Sequence, residues 1–96
     1  MKMVMIAYNE GIESNVIDVL HAAGVHTYTH WDKLHGVGKT SGPHLGTHVW
    51  PKHNNAIMAA VEDEAVPTIL SGVRQLRQSL GREGVKAFVM PLEQMT

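Results

Sequence analysis

The sequence predicts an α+β sandwich in which two helices cover one face of a four-stranded antiparallel sheet. Short apolar runs typical of buried strands alternate with two longer segments of helical periodicity, in the order βαββαβ. The chain has 96 residues, of which 44% are hydrophobic, and this suits one small globular domain. We therefore expect residues 1–96 to form a single domain.

The start of the chain predicts one strand and one helix. Residues 2–8 form a continuous apolar run that ends at a polar turn, and the length of this run suits a strand buried on both faces. Apolar residues then recur at helical spacing over residues 12–23, with Asn9 or Ser14 as candidate N-caps. Gly24 stands where a left-handed residue ends a helix.

Two further strands are predicted on either side of a long loop. From residue 25 to about residue 34, β-branched and aromatic residues alternate with polar ones, which predicts the second strand. His26 and His30 share one face of this predicted strand, and we expect them to lie at an interface between subunits. Residues 56–62 are compact and apolar and predict the third strand.

A second helix and a fourth strand complete the pattern. Asp63 and Glu64 suit the positive end of a helix dipole. Pro67 fits the first helical turn, and Gly81 is expected to end the helix. Residues 85–90 predict the last strand. This order is that of the ferredoxin-like fold.

The two helices leave the other face of the predicted sheet uncovered. Apolar residues such as Ala7 and Phe88 fall on both sides of the strands, so the uncovered face has little polar surface to meet water. We expect this face to be buried against other copies of the chain in a cyclic homo-oligomer. Four methionines in the predicted strands are expected to fill the core rather than to bind copper. They are Met3, Met5, Met58 and Met90.

Residues 36–55 form the predicted loop that is expected to carry the function. Its first part, residues 36–48, contains four of the nine glycines and has neither strand nor helix periodicity. A structureless loop of this length in a compact domain is uncommon and is usually functional or disordered, and we favour a function. Trp31 and Trp50 flank this glycine-rich part and are expected to pack against its base.

The Gly-Lys-Thr-Ser run at residues 38–41 imitates the end of a phosphate-binding P-loop. The full motif is absent, because Lys33 stands where its first glycine belongs and the following Gly-Pro would break the required helix. What remains is an anion site in which Gly36 and Gly38 expose backbone amides and Lys39 supplies a positive charge. A flexible, solvated loop is the alternative interpretation.

Seven histidines are an unusual number for a chain of this length. His44 and His48 are spaced i, i+4, but Pro43 and Gly46 argue against the helix that would aim both imidazoles at one metal ion. In an extended segment they would lie ~13 Å apart. A copper, nickel or zinc site therefore needs a folded loop or equivalent histidines from neighbouring subunits. Further candidate ligands are His30, His35 and His53. Ordinary polar loop residues are the alternative interpretation.

Composition excludes several classes of function. Eight basic and nine acidic residues give no electrostatic reason to bind nucleic acid or an anionic membrane. The absence of cysteine excludes disulfides and thiolate sites. With no signal sequence and no apolar run of membrane-spanning length, we expect a cytoplasmic protein without membrane insertion. No arrangement of nucleophile, acid and base is recognisable, so we do not expect an enzyme.

This organisation resembles the P-II family of signalling proteins. The similar features are the Met-Lys-Met-Val-Met-Ile start, the long loop that opens with Gly-Val-Gly-Lys at residues 36–39, and the last strand within residues 84–93. The chain departs from the family in three places. Residues 82–86 retain only one glycine of a Gly-x-Gly-Lys pattern, no Arg-x-Arg follows the last strand, and no tyrosine lies between residues 36 and 55.

The resemblance implies a homotrimer with inward-facing sheets, clefts between subunits that bind effectors such as adenine nucleotides, and a mobile loop that contacts a partner enzyme or membrane transporter. By residue-by-residue match, Gly36, Gly38 and Lys39 belong to the loop opening that cradles phosphates. Lys86 matches a phosphate-contacting lysine just before the last strand. Thr40 and Ser41 are lesser candidates.

The departures limit what the resemblance implies. Because the loop tyrosine is missing, we do not expect control by uridylylation. The CutA-type proteins linked to divalent-cation tolerance share the trimeric fold, and the histidine-rich loop makes a divalent metal-ion binder or sensor the alternative function.

Overall fold

The computed structural model describes residues 1–38, 42–44, 53–80 and 84–96, and within them the helices and the strands of the main sheet have the predicted βαββαβ order. Eight elements follow one another along the chain: β1 Lys2–Asn9, α1 Glu13–Ala22, β2 Thr29–Leu34, β3 Gly36–Gly38, β4 Gly42–His44, β5 Asn54–Val61, α2 Val66–Ser79 and β6 Val85–Pro91. Short 3₁₀ turns precede the two helices, at Glu10–Ile12 and at Asp63–Ala65.

The main sheet has the strand order β2-β5-β1-β6, and its described pairings are all antiparallel. Alternate side chains of β1 point towards the helices, because successive residues of a strand face opposite sides. The largest fully buried side chains make one core between this face and the helices: Tyr8, Ile6, Leu20, Ile57, Ile69, Val4 and Val16. The predicted ferredoxin-like fold is therefore confirmed.

The two helices lie close to each other because α2 has a glycine where they meet. A Cβ atom at Gly72 would stand 2.7 Å from Cγ1 of Val19, which is closer than a real contact allows. Pro67 lies in the first turn of α2, as predicted. At the other end of α2, the guanidinium of Arg77 donates a hydrogen bond to the Val85 carbonyl oxygen at 2.6 Å and ties the helix to β6.

The end of α1 explains why the second strand starts later than predicted. Gly24 has φ +77°, and the amides of Gly24 and Val25 donate to the carbonyl oxygens of His21 and Leu20 at 2.9 Å each. This pair of bonds is a Schellman cap, which confirms Gly24 as the left-handed residue and uses Val25 to finish the helix. Strand β2 begins only at Thr29, so the prediction that placed residue 25 in it was wrong.

The predicted N-caps of α1 need a correction. The Asn9 side chain accepts a hydrogen bond from the Gly11 amide at 2.8 Å and so caps the 3₁₀ turn rather than the helix. Ser14 lies inside α1. The 3₁₀ turn between β1 and α1 explains why neither residue caps α1. Asn9 precedes this turn, which begins at Glu10, and α1 itself begins only at Glu13. For the second helix, Gly81 lies outside the described residues, and α2 ends at Ser79.

The interpretation of residues 36–55 as structureless was wrong in its described parts. Strands β3 and β4 form an antiparallel ribbon in which Gly36 pairs with His44 and Gly38 with Gly42. Asn54 and Asn55 already belong to β5. The ribbon escaped prediction because its glycines and its proline give no alternating apolar pattern, although backbone pairing needs no side chains.

The face of the sheet opposite the helices is open and apolar, as predicted, but it also holds the methionines that were expected in the core. Met5 pairs in register with Met58 on one side and with Phe88 on the other, and residues directly opposite each other share a face. Met3 and Met90 form a second such pair. We call this surface the open face. Neither helix of the described part is long and apolar enough to span a membrane.

Candidate effector-binding site

The structure places Gly36 and Lys86 on the same face of the sheet, at its opposite edges. Gly36 and Gly38 are the ends of β3, which leaves the sheet directly after β2. Lys86 lies inside β6, as in the last strand predicted at residues 85–90, whereas the lysine it matches in the family was expected just before that strand. Lys39, Thr40 and Ser41 lie outside the described residues.

Lys86 belongs to a row of side chains that crosses the open face. Trp31 pairs with Ala56, Ala56 with Ala7, and Ala7 with Lys86, one residue on each strand of the sheet. With strands about 4.8 Å apart, this row is ~14 Å long. The Lys86 ammonium lies 5.8 Å from the centroid of the Phe88 ring on the same face. The row thus connects a cation at one sheet edge to an indole at the other.

A cavity of about 420 Å³ lies at the indole end of this row. Small residues, Ala7 and Ala56, belong to its lining together with the larger side chains of Met5, Trp31 and Leu34. The remaining lining comes from the start of the ribbon and of β5, namely His35, Gly36, Asn54 and Asn55. The cavity is therefore mainly apolar and touches the first glycine of the ribbon, which is the arrangement expected of a small-molecule site.

Two pairs of residues hold the ribbon against the start of β5. A Cβ atom at Gly36 would stand 2.1 Å from the Asn54 side-chain nitrogen, so a residue with a side chain at position 36 would displace Asn54. The rings of His35 and His53 stack, with centroids 6.0 Å apart and planes 17° from parallel. These contacts fix where the ribbon leaves the sheet.

A β-bulge redirects the chain just before the ribbon. The pairing of β2 with β5 shifts register between Trp31 and Leu34, and Lys33 has φ 57°, which is unusual for a residue other than glycine. The Lys33 amide donates a hydrogen bond to Oδ1 of Asn55 at 3.2 Å. Asn55 is only 6% exposed, so its side chain stabilises the strained backbone from inside the protein.

The carboxylate of Glu13 is the centre of a polar network beneath this bulge. Its Oε1 atom accepts hydrogen bonds from the Tyr8 hydroxyl at 2.8 Å and from the Asn55 amide at 2.9 Å. Nε2 of His30 lies 2.6 Å from the same oxygen and 3.3 Å from Oδ1 of Asp32. Three strands are thereby joined to the first turn of α1.

The network shifts the protonation equilibria of two of its members. Burial disfavours the charged form of Glu13, but the hydrogen bonds from Tyr8 and Asn55, followed by the charge and hydrogen bond of His30, outweigh it and lower the pKa of the carboxyl. Burial, together with the neighbouring Glu13 carboxylate, raises the pKa of the Tyr8 hydroxyl. Tyr8 therefore remains a hydrogen-bond donor and Glu13 an acceptor at neutral pH.

The lowered pKa of Glu13 predicts how the stability of the fold depends on pH. A carboxyl whose pKa is lower in the folded state stabilises the fold fully above its unfolded pKa, and this contribution is lost as the pH falls through the folded value. We expect wild type to be more stable than Glu13→Gln at pH 7 and the gap to close below about pH 4, in urea unfolding followed by circular dichroism. A gap that stays constant down to pH 3 would contradict this account.

The predicted metal site receives no support from the described residues. They contain no group of three or more His, Asp or Glu side chains that could hold a metal ion. His30 binds carboxylates within its own chain, and His26, expected on the same strand, precedes β2 with its ring 4.7 Å from that of His21. His48 and the side chain of His44 lie outside what the structure describes, so a site at these two residues stays a prediction.

The two tryptophans were expected to pack against the base of the loop. Trp31 lines the cavity at the base of the ribbon and is still 42% exposed on the open face. Trp50 lies outside the described residues.

Sequence reasoning missed the network of Tyr8, Glu13 and Asn55. A usable signal was present, because Tyr8 ends an apolar strand and two consecutive asparagines open another, and polar residues at buried strand positions need partners. The identity of those partners depends on which strands pair. That information comes from the tertiary fold.

Comparison with known proteins agrees with this architecture. The family described as Nitrogen regulatory protein P-II matches residues 1–96. CPII, a nitrogen regulatory PII-like protein from Thiomonas intermedia K12, was solved bound to ADP, AMP and bicarbonate. It is 27% identical with a TM-score of 0.76, and the alignment covers 92% of this chain and 81% of CPII.

A second CPII structure, at 2.3 Å and with the same ligands, gives 26% identity and a TM-score of 0.75 over 93% of this chain and 88% of that one. A putative PII-like signaling protein from Thermus thermophilus shares the fold, with 21% identity and a TM-score of 0.61 over 92% and 82% of the two chains. No significant match is found among curated proteins.

These findings decide between the two families that the sequence left open. The family match spans residues 1–96 and names P-II. The chain belongs to the Nitrogen regulatory protein P-II family.

Proposed function

We propose that this protein is a non-enzymatic, cytoplasmic, homotrimeric regulator that binds an adenine nucleotide between subunits and contacts a partner enzyme or membrane transporter through residues 36–55. Binding changes the order of these residues, which requires the effector to bind their ordered form more tightly than any other. The proposed effector residues are Gly36, Gly38, Lys39, Thr40, Ser41 and Lys86.

The observation that carries the proposal is the position of the cavity beside the start of the ribbon, at the end of the row opposite Lys86. Its apolar lining suits a nucleobase, the backbone of Gly36 and Gly38 can approach phosphate oxygens closely, and Lys86 offers a cation on the same face. The ADP and AMP bound to CPII support this choice of ligand.

The trimer is proposed from the open face. Trp31, Phe88 and Met90 are 42%, 41% and 39% exposed there, and the face continues across Met3 and Met5. A contiguous apolar surface of this kind marks an interface in most proteins. Identical copies cover such surfaces by closing into a symmetric ring. The cavity lies near the β2 edge of the face, where one copy would border the next.

Isothermal titration with ADP, AMP and ATP tests the nucleotide proposal. Binding is expected for at least one of them, and Lys86→Ala should weaken it by about tenfold or more, because a charge-assisted bond to phosphate is lost. Arg74→Ala, which removes an exposed cation from α2, is the matched control and should leave the affinity unchanged. Titrations with and without bicarbonate are included because bicarbonate accompanies ADP in CPII.

Two outcomes would count against the proposal. Absence of heat for all three nucleotides, with and without bicarbonate, would remove the nucleotide as effector. Equal affinities of wild type and Lys86→Ala would leave the nucleotide but take Lys86 out of its site.

A further inference from the structure

The segment that follows the ribbon and the segment that leads into the Lys86 strand return to the sheet side by side. One segment re-enters at His53, directly before β5, and the other at Gly84, directly before β6. Both strands flank β1, whose last residues pair with Asn54 and Val85. The end of β1 therefore lies between the two points of return.

Two consecutive amides at this end of β1 hold the two segments. The Asn9 amide donates a hydrogen bond to the Gly84 carbonyl oxygen at 2.8 Å, and the Glu10 amide donates one to the His53 carbonyl oxygen at 3.0 Å. Asn9 is 3% exposed, and its side-chain oxygen accepts from the Gly11 amide at 2.8 Å. The turn is thus fixed internally, and its two donors point at different segments.

Each of these two hydrogen bonds is made to a segment that adjoins some of the proposed effector residues. On the His53 side, the ring of His53 stacks on that of His35, and the start of the ribbon follows immediately at Gly36. Nδ1 of His53 also lies 3.8 Å from a carboxylate oxygen of Glu10. On the other side, Gly84 leads directly into the strand that carries Lys86.

We propose that the Asn9–Glu10 turn is a positioning element that sets the base of the ribbon and the start of β6 relative to each other. The base of the ribbon and the start of β6 then open and close as one cooperative unit. Its relevance to a ligand rests on the proposed function, whereas the coupling itself is a property of the ligand-free protein. Asn9 and Glu10 are positioning residues here, because they act through His53 and Gly84.

Two substitutions at position 10 separate the effect of the backbone bond from that of the side chain. Glu10→Pro removes the amide that donates to His53, and Glu10→Ala removes the carboxylate but keeps the amide. Proline fits at this position, because Glu10 begins a 3₁₀ turn and Asn9 before it is extended, at φ −65° and ψ 133°. The alanine variant is therefore the matched control for the proline variant.

Hydrogen exchange of the Asn9 amide in ligand-free protein measures the coupling. The Asn9 amide donates its hydrogen bond to Gly84, and neither substitution removes that bond. We nevertheless expect this amide to exchange about fivefold faster in Glu10→Pro than in Glu10→Ala. A fivefold change in rate corresponds to the free energy that one hydrogen bond typically contributes. The amide of the buried Val73 in α2 is the internal reference and should not change. Equal rates at Asn9 in the two variants, or an equal acceleration at Asn9 and Val73, would overturn the proposal.

The affinity for ADP gives a second readout that a purely structural role would not change. We expect Glu10→Pro to bind ADP about fivefold more weakly than Glu10→Ala at a temperature where both are folded. Equal affinities would refute the positioning role and leave the nucleotide proposal intact. If wild type does not bind ADP, the proposed function fails and hydrogen exchange alone decides the coupling.

A variant outside the turn protects the test against a proline variant that does not fold. His53→Ala removes the ring contacts with His35 and Glu10 and leaves the backbone unchanged. The Asn9 amide should then exchange at least about twofold faster, while that of Val73 stays at the wild-type rate. An unchanged Asn9 rate would again overturn the proposal.

Discussion

Replacing Met5 with glutamate is expected to convert the proposed trimer into single chains. Met5 lies in the middle of the open face, between Met58 and Phe88, and its side chain points away from the helices. Closure of three copies around this face would bury each new carboxylate among largely apolar side chains, at a cost of roughly several kcal/mol per chain that the single Lys86 ammonium on the same face offsets only in part. We expect this cost to separate the chains.

The fold of the separated chain should survive the substitution. The core lies on the other face, around Ile6, Ile57 and Leu20, and does not include Met5. We therefore expect a native far-ultraviolet circular dichroism spectrum together with sedimentation at one chain mass, at micromolar concentration. Gln75→Glu, which adds the same charge to the exposed surface of α2, should sediment as wild type does. A Met5→Glu protein that keeps the wild-type mass would show that the open face is not the interface.

The open face also shows which part of the fold the sequence could predict. Strands β1, β5 and β6 are short apolar runs between turns, and such runs identify strands whether the apolar side chains meet the protein's own helices or another copy. For the same reason the sequence could not assign Met3 and Met5 to a face. Period-two alternation tells which residues share a face, and only the position of the helices tells which face is inside.

The candidate site was harder to predict because its structure depends on contacts between distant segments. Gly36, Gly38 and Lys86 were named from a local motif and a family resemblance, and the structure adds the cavity and the row that bring Gly36 and Lys86 to one face. The hydrophobic periodicity of the sequence does not predict the ribbon of β3 and β4. The sequence does not predict the strained backbone at Lys33 either, since lysine has no preference for positive φ.

Asn55 provides the second large effect, on the stability of the fold and on the geometry before the ribbon. Its amide group makes two bonds at once, accepting from the Lys33 amide and donating to the Glu13 carboxylate. Asn55→Leu keeps most of the side-chain volume and removes both bonds. An unsatisfied Lys33 amide and a Glu13 carboxylate with one donor fewer should together cost about 2–4 kcal/mol.

For a domain of this size such a loss corresponds to a melting temperature lower by roughly 10–20 °C. Differential scanning calorimetry at one fixed protein concentration measures it, because the melting temperature of an oligomer changes with concentration. The matched control is Asn15→Leu, which makes the same chemical change at an exposed position of α1 and should alter stability by no more than about 0.5 kcal/mol. Similar melting temperatures for the two variants would show that Asn55 does not support the bulge.

A third variant distinguishes the two bonds of Asn55. Asn55→Asp keeps an acceptor for the Lys33 amide but replaces the donor to Glu13 with a second carboxyl, so two like charges meet in a buried site. At pH 7 this variant should be at least as unstable as Asn55→Leu. It should recover towards wild type as the pH falls to about 5, because the new carboxyl has its pKa raised by Glu13 and can donate a hydrogen bond once it is protonated. Stability that does not improve on acidification would mean that the bond to Lys33, rather than the bond to Glu13, carries the contribution of Asn55.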